Sequence, residues 1–253
     1  MTLTLPKPQL VSSAALALLG AAIVSTSADA QGKTEQGVIN YEQTINIHAS
    51  IPPEQAALKA VLPKEQKIQI VATFSGDTYR LEALQPEVSE SGSRFRPGFG
   101  DEITIVELDS ETQTRIGELV DVKFASRSDL PPLDGLVPSE GKQEILGFDA
   151  KRLSGTINLN GRERPVEIWY SDEIPAGISP LPFKGLPGAV LDLKIGKSSQ
   201  RFSATSIEMV EVDDTLFDVP EGHREITNEQ FQDLQAEAID ALRQSGAAIA
   251  RSE

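Results

Sequence analysis

Short segments that alternate apolar and polar residues, each closed by a compact turn signal, recur from Lys67 to Val212 with no long helical pattern between them. Period-2 alternation is the pattern of a strand with one buried and one wet face. Strands joined by tight turns pair antiparallel, because a parallel crossover needs a dozen or more residues. Lys67–Phe74 therefore meets Thr78–Ala83 across Ser75-Gly76-Asp77, and Glu102–Leu108 meets Thr112–Leu119 across Asp109-Ser110-Glu111. Gln143–Leu159 reads as one strand leading to Asn160-Gly161, a strong hairpin signal, and Pro165–Tyr170 follows it. Ala189–Ile195 and Arg201–Val212 form a further pair around Gly196-Lys197-Ser198. In front of them, Gly37–Ile47 is rich in β-branched residues and alternates roughly as a strand.

Two stretches depart from this pattern. Pro52–Val61 holds helix formers behind a Pro-Pro start and is stopped by Pro63, which predicts a short helix after the first strand. Glu229–Arg243 follows Thr227 and Asn228, both capable caps, and places Phe231, Leu234, Ala238 and Leu242 on one stripe, as a C-terminal helix docked on the sheet would. Segments 94–100, 128–135 and 175–187 are rich in Pro, Gly and Ser and read as loops, with Ser89–Gly100 the best candidate for disorder. Together these predict a mainly β domain with flanking helices (α+β): a large, curved antiparallel meander of open half-barrel type. The domain covers residues 31–243, and 244–253 form a frayed tail.

The first thirty residues read as an address. Lys7 precedes an apolar run of about 14 residues from Val11 to Val24, short of the roughly 20 that span a bilayer as a helix. Ala28-Asp29-Ala30 fits the small-x-small site of a cleavable signal peptide, so export to the periplasm or medium is expected, with cleavage near Ala30. Lys and Arg number 23 against 38 Asp and Glu, a net charge of −15 that disfavours nucleic acid and anionic membrane surfaces. The chain has no cysteine, which removes thiol nucleophiles, disulfides and thiolate metal sites.

The segment Trp169-Tyr170-Ser171-Asp172-Glu173-Ile174-Pro175, followed by Phe183-Lys184-Gly185-Leu186-Pro187-Gly188-Ala189-Val190, resembles the GLPGLI family of exported bacterial proteins. Ala189-Val190 stand where that family's motif ends in Leu-Ile. Ile145–Lys151 is similar to the strand before the Trp-Tyr pair. Phe217–His223 is similar to the closing segment, with His223 where an aromatic residue is more usual. The resemblance runs from about Gly37 to Phe231. It implies export and a β-rich fold, and it brings no catalytic residues with it. The motif positions Trp169, Tyr170, Ile174, Pro175, Gly185, Leu186, Pro187 and Gly188 also have a structural account: a sharp turn, with positive φ at glycine, that sets the register of the following strand. A ligand-contacting loop is the other reading.

No catalytic, cofactor or metal constellation stands out. Asp172 and Glu173 are adjacent carboxylates, but neighbours in an extended segment point opposite ways. Glu211, Asp213 and Asp214 lack the spacing of a calcium loop, and the two histidines, His48 and His223, lie far apart in sequence. Trp169 and Tyr170 should face opposite sides of their strand, one anchoring the core. The expected function is non-catalytic: a cell-envelope protein holding a hydrophobic small molecule or an extended segment of an envelope partner on its sheet. The alternatives are a structural or interaction protein with a self-filled core and no small-molecule ligand, and a carboxylate-based hydrolase.

Overall fold

The computed structural model describes residues 35–84, 102–119, 121–159, 161–196 and 199–249. The expected signal peptide, the Ser89–Gly100 loop, Asn160 and the last four residues lie outside them. β1 (Gln36–Asn46) pairs with β2 (Glu65–Ser75), which turns through Gly76-Asp77 into β3 (Thr78–Leu84). β4 (Ile103–Glu107), β5 (Thr112–Leu119) and β6 (Val122–Asp129) continue outwards. The chain restarts at the far edge with β7 (Leu136–Ile145), β8 (Phe148–Leu159) and β9 (Arg162–Ser171). β10 (Ala189–Ile195) and β11 (Gln200–Glu208) then bring it back until β11 pairs with β1. β12 (Arg224–Ile226) lies parallel beside β6. The result is one open 12-stranded sheet in the order β12-β6-β5-β4-β3-β2-β1-β11-β10-β9-β8-β7.

The fold is thus mainly β with flanking helices, as the alternation predicted, in two meanders fused at β1 and β11 rather than one, and mixed because of β12. The reading of Gln143–Leu159 as one strand is corrected: Leu146 (φ 53°) and Gly147 (φ 86°) turn the chain between β7 and β8. Both residues sit in the left-handed region, the backbone of a tight hairpin turn.

Curvature follows from connectivity. In a flat sheet β6 and β7 would stand ten strand spacings apart, about 48 Å. Only six residues join Asp129 to Leu136, and extended chain covers about 25 Å over that stretch. The sheet must therefore curl so that β7 comes back toward β6, without the two pairing.

The inner face is filled by the protein's own chain. Ile39 and Tyr41 of β1, Ala72 and Phe74 of β2, Ile168 of β9 and Leu193 of β10 are buried in one large cluster. Leu130 and Leu133 of the β6–β7 connection, and Ile174, Ile178, Phe183 and Leu186 of the β9–β10 connection, pack onto it. The two connections are joined where Lys184 N–H donates to the Pro131 carbonyl at 3.1 Å. Tyr41 crosses the interior to donate its hydroxyl to the Val190 carbonyl at 2.8 Å.

At the β5–β6 end, α2 (Asn228–Ile249) docks through Phe231 and Ala238 against Leu119 and Phe124. Its start is a reciprocal cap: Gln230 N–H donates to Thr227 Oγ1 (3.2 Å), and Thr227 N–H donates to Gln230 Oε1 (2.9 Å). The short helix expected at Pro52–Val61 is present as a 3₁₀ helix, Pro53–Ala60, preceded by one α-turn, α1 (Ile47–Ser50). Nothing in the 3₁₀ segment is buried, so it does not pack on the sheet. Helix propensity alone does not hold eight residues in α-form when no apolar face finds a partner.

Candidate functional site

All strand ends around Glu35, the Gly76-Asp77 turn, Phe148, Asp172 and Met209 meet at one rim of the curled sheet, because antiparallel pairing returns each strand to the same level. Between them opens a cleft of about 490 Å³. Its apolar lining comes from Phe148, Ile174, Pro175, Ala176, Pro187 and Met209, and its carboxylates from Glu35, Asp77, Asp172 and Glu173. Volumes of this order accommodate small ligands or a few side chains of a peptide.

Local chemistry explains why the lining stands as it does. Gly76 N–H donates to the Glu35 carbonyl at 2.8 Å and ties the β2–β3 turn to the start of β1. Past β9, Glu173 N–H donates to Ser171 Oγ (3.3 Å), and Glu173 Oε1 accepts from Asp149 N–H (2.9 Å), which turns the chain across the rim. That turn buries Ile174 and leaves Asp172 and Glu173 exposed on the same cleft. The expectation that these two carboxylates point apart is therefore corrected: the strand has ended by then, and the bend brings both to one opening. Asp172 accepts from Lys151 Nζ at 2.5 Å, and this hydrogen bond holds the Lys151 ammonium above the ordinary lysine range.

The motif residues divide among three places. Ile174, Pro175 and Pro187 line the cleft. Leu186 and Gly188 are buried in its support, and Gly185 turns the chain at φ 82°. Trp169 and Tyr170 are both half-buried and both touch the large cluster, although alternation along β9 puts the Trp169 side chain on the face it shares with Glu167.

That outer face is a charge-matched ladder. Trp169 Nε1 donates to Glu167 (3.2 Å), Lys194 Nζ lies 2.9 Å from the same carboxylate, Arg152 pairs with it, and the Arg152 guanidinium sits 5.8 Å from the Trp169 ring. The hydrogen bond from Lys194 pulls the Glu167 carboxyl below the usual range. Next to it, Asp192 is buried and accepts from Arg201 Nε and Ser203 Oγ, both at 2.8 Å. Among the described residues no group of three or more His, Asp or Glu side chains is placed to hold a metal ion. His48 and His223 each contact a nearby carbonyl, of Leu62 at 3.0 Å and of Pro220 at 2.9 Å. No described helix is long and apolar enough to cross a membrane.

Sequence reasoning missed Glu35, Asp77, Phe148 and Met209. They come from four separate elements, and only the sheet order brings them together; the Gly76-Asp77 turn was the one local signal.

No protein-family model matches the chain, and no curated protein matches it. Among solved structures it is similar to PNGF-II in two crystal forms, C2 (TM-score 0.54, 16% identity) and P21 (TM-score 0.52, 15% identity). Each match covers 79% of this chain and 32% of PNGF-II, so the chain spans about a third of that protein's length. An uncharacterized conserved protein from Thermus thermophilus is more distant, at TM-score 0.42 and 11% identity over 77% of this chain and 91% of that one. At these identities the resemblance to PNGF-II is one of fold alone.

Proposed function

We propose that the protein is an exported, non-catalytic interaction protein of the GLPGLI type, whose rim cleft receives an extended partner segment carrying an apolar anchor and basic side chains. The observation that carries this reading is the pairing, in one opening, of an apolar lining with four carboxylates. Apolar side chains supply contact area, and carboxylates select lysine or arginine beside them. Two further features favour it over a hydrophobic ligand held on the inner face and over a segment added to the sheet edge. That face is occupied by the β6–β7 and β9–β10 connections and α2. The β7 edge is blunted against strand addition by Pro138 and an irregular register between Ser139 and Lys142. Asp172 and Glu173 already hold Lys151 and the Asp149 amide, which fits a binding role better than acid–base work.

The test is fluorescence polarisation with labelled peptides of about eight residues that combine leucine and lysine. Saturable binding to the wild type, lost in Ala176→Arg at the cleft wall, is expected. Equal binding by both proteins, or binding only of acidic peptides, contradicts the assignment. Native mass spectrometry of protein taken from its own envelope tests the hydrophobic-ligand alternative, which a bound lipid would favour.

A further inference from the structure

At the other end of β1 the chain builds a feature that answers the cleft. Every residue from Pro52 to Glu65 is exposed, and three large apolar side chains stand within five residues: Leu58 (42% exposed), Val61 (76%) and Leu62 (37%). The other large exposed apolar side chains of the described surface occur singly or in twos, Met209 with Val210 and Leu216 with Val219. Isolated apolar residues need no explanation, but a contiguous set does.

This finger is shaped from within rather than by packing. Asn46 caps α1 by accepting from Ala49 N–H at 3.0 Å. Ile47 N–H donates to the Lys64 carbonyl at 3.0 Å, and Leu62 N–H donates to the Leu58 carbonyl at 2.9 Å. The His48 ring lies 3.0 Å from the Leu62 carbonyl. The apolar side chains are thus held outward on an internally bonded frame.

The finger is locally balanced in charge within a strongly acidic molecule. Residues 52–65 contain Lys59 and Lys64 against Glu54 and Glu65, in a chain whose net charge is −15; Lys64 Nζ lies 3.8 Å from Glu65, so Lys59, next to Leu58, is the finger's cation outside that pair. The cleft offers four carboxylates, of which Asp172 is matched by Lys151. We infer that the protein associates head to tail, the 52–65 finger of one copy seated in the rim cleft of the next. This rests on the cleft being a site for apolar and basic side chains, and it names Leu58, Lys59, Val61 and Leu62 as those side chains, carried on a 3₁₀ frame rather than an extended segment.

Geometry makes the contact intermolecular. The finger leaves β1 at Asn46 and the cleft begins beside Gln36, about 33 Å away along a strand of this length. A finger therefore cannot fill its own cleft. Contact between two different patches of one chain is heterologous, so it propagates into rings or filaments instead of closing as a two-fold dimer. A membrane surface is the weaker occupant for the finger, since two lysines stand against a strongly acidic molecule.

Sedimentation velocity of the purified protein in about 150 mM salt, over a concentration series, tests the inference. The wild type is expected to show growing assemblies with rising concentration. Val61→Glu on the finger and Ala176→Arg in the cleft should each weaken self-association about tenfold or more. Their equimolar mixture should form a dimer and stop there, because one variant keeps the cleft and the other keeps the finger. Both positions are exposed, and circular dichroism identical to wild type, with Met209→Arg as a second cleft variant, excludes misfolding as the cause. A wild type that stays monomeric, a Val61→Glu variant that still assembles, or a mixture that forms no dimer overturns the inference. Finger-dependent sedimentation with phosphatidylglycerol vesicles by a monomeric protein would assign the finger to a membrane instead. If the cleft binds leucine–lysine peptides while the wild type stays monomeric, only the self-association fails. If neither peptide nor finger binds, the cleft reading fails with it.

Discussion

Gly188 lies against Ser171 so closely that a β-carbon at position 188 would overlap the Ser171 carbonyl oxygen and stand 2.9 Å from Tyr170 Cδ2. Gly185, three residues earlier, has open space around its Cα but a φ of 82°. The two glycines of one motif are therefore required for different reasons, close approach at 188 and backbone conformation at 185. Gly188→Ala should cost about 1–3 kcal/mol as an overpacked position. Gly185→Ala should cost roughly 1–2 kcal/mol as a left-handed residue. Asparagine separates them: Gly185→Asn should recover part of the loss, because asparagine tolerates that conformation, and Gly188→Asn should recover none. Urea unfolding of the four variants is the check.

Asp192 offers a second test. Its carboxylate is buried on β10, bonded to Arg201 and Ser203, with Lys194 Nζ 4.0 Å from the other oxygen. Asp192→Ala leaves donors without an acceptor and should destabilise by about 1–3 kcal/mol. Arg201→Ala should cost more than Ser203→Ala, since it strands a buried charge rather than removing one neutral donor. Chemical denaturation of the three variants orders the losses.

How much of this was legible in the sequence depended on how local the signal was. Gly76 and the alternation of Ile68, Ile70, Ala72 and Phe74 announced the β2–β3 hairpin, and the structure places it there. The β7–β8 hairpin was hidden because its turn puts Leu146 at φ 53°, a conformation that leucine does not advertise. β6 was missed because Phe124, Ala125 and Ser126 are buried in succession, Phe124 and Ala125 in different clusters, so its pattern does not alternate. The pairing of β1 with β11 joins residues far apart in the chain, and no turn chemistry encodes it. The cleft inherits the same limit. Ile174, Pro175 and Pro187 were singled out by the motif, whereas Glu35, Asp77, Phe148 and Met209 needed the sheet order.

Glu102 gives a pH dependence with a definite sign. Burial pushes its carboxyl above the usual range, against the pull of Arg115, and Oε1 has no hydrogen-bond partner among the described residues. In the unfolded chain the group ionises near its ordinary value of about 4.3. Between that value and the higher folded one, the folded state binds the extra proton, so stability falls as pH rises through the window and stays lower above it. Glu102→Gln removes the penalty. The variant should match wild type near pH 4 and exceed it at about pH 7.5, measured as the urea midpoint at each pH.

Phe231 anchors α2 by packing on Phe124, ring centroids 5.0 Å apart, with the Arg115 guanidinium 5.2 Å from its own ring. This contact belongs to a cluster separate from the large one. Phe231→Ala should therefore release α2 locally rather than unfold the sheet. Hydrogen exchange should show faster exchange in 228–240 and in β12, with protection in β1 and β10 unchanged.

The central claim is that the rim cleft, and not the inner face, is where a partner binds. An NMR titration of the wild type with a short leucine–lysine peptide tests it most directly. The account predicts saturable shifts confined to the amides of Gly76, Asp77, Phe148, Asp172–Ala176 and Met209. Shifts centred on Ile39, Ile168 and Leu193 in the interior, or none up to millimolar peptide, would contradict it.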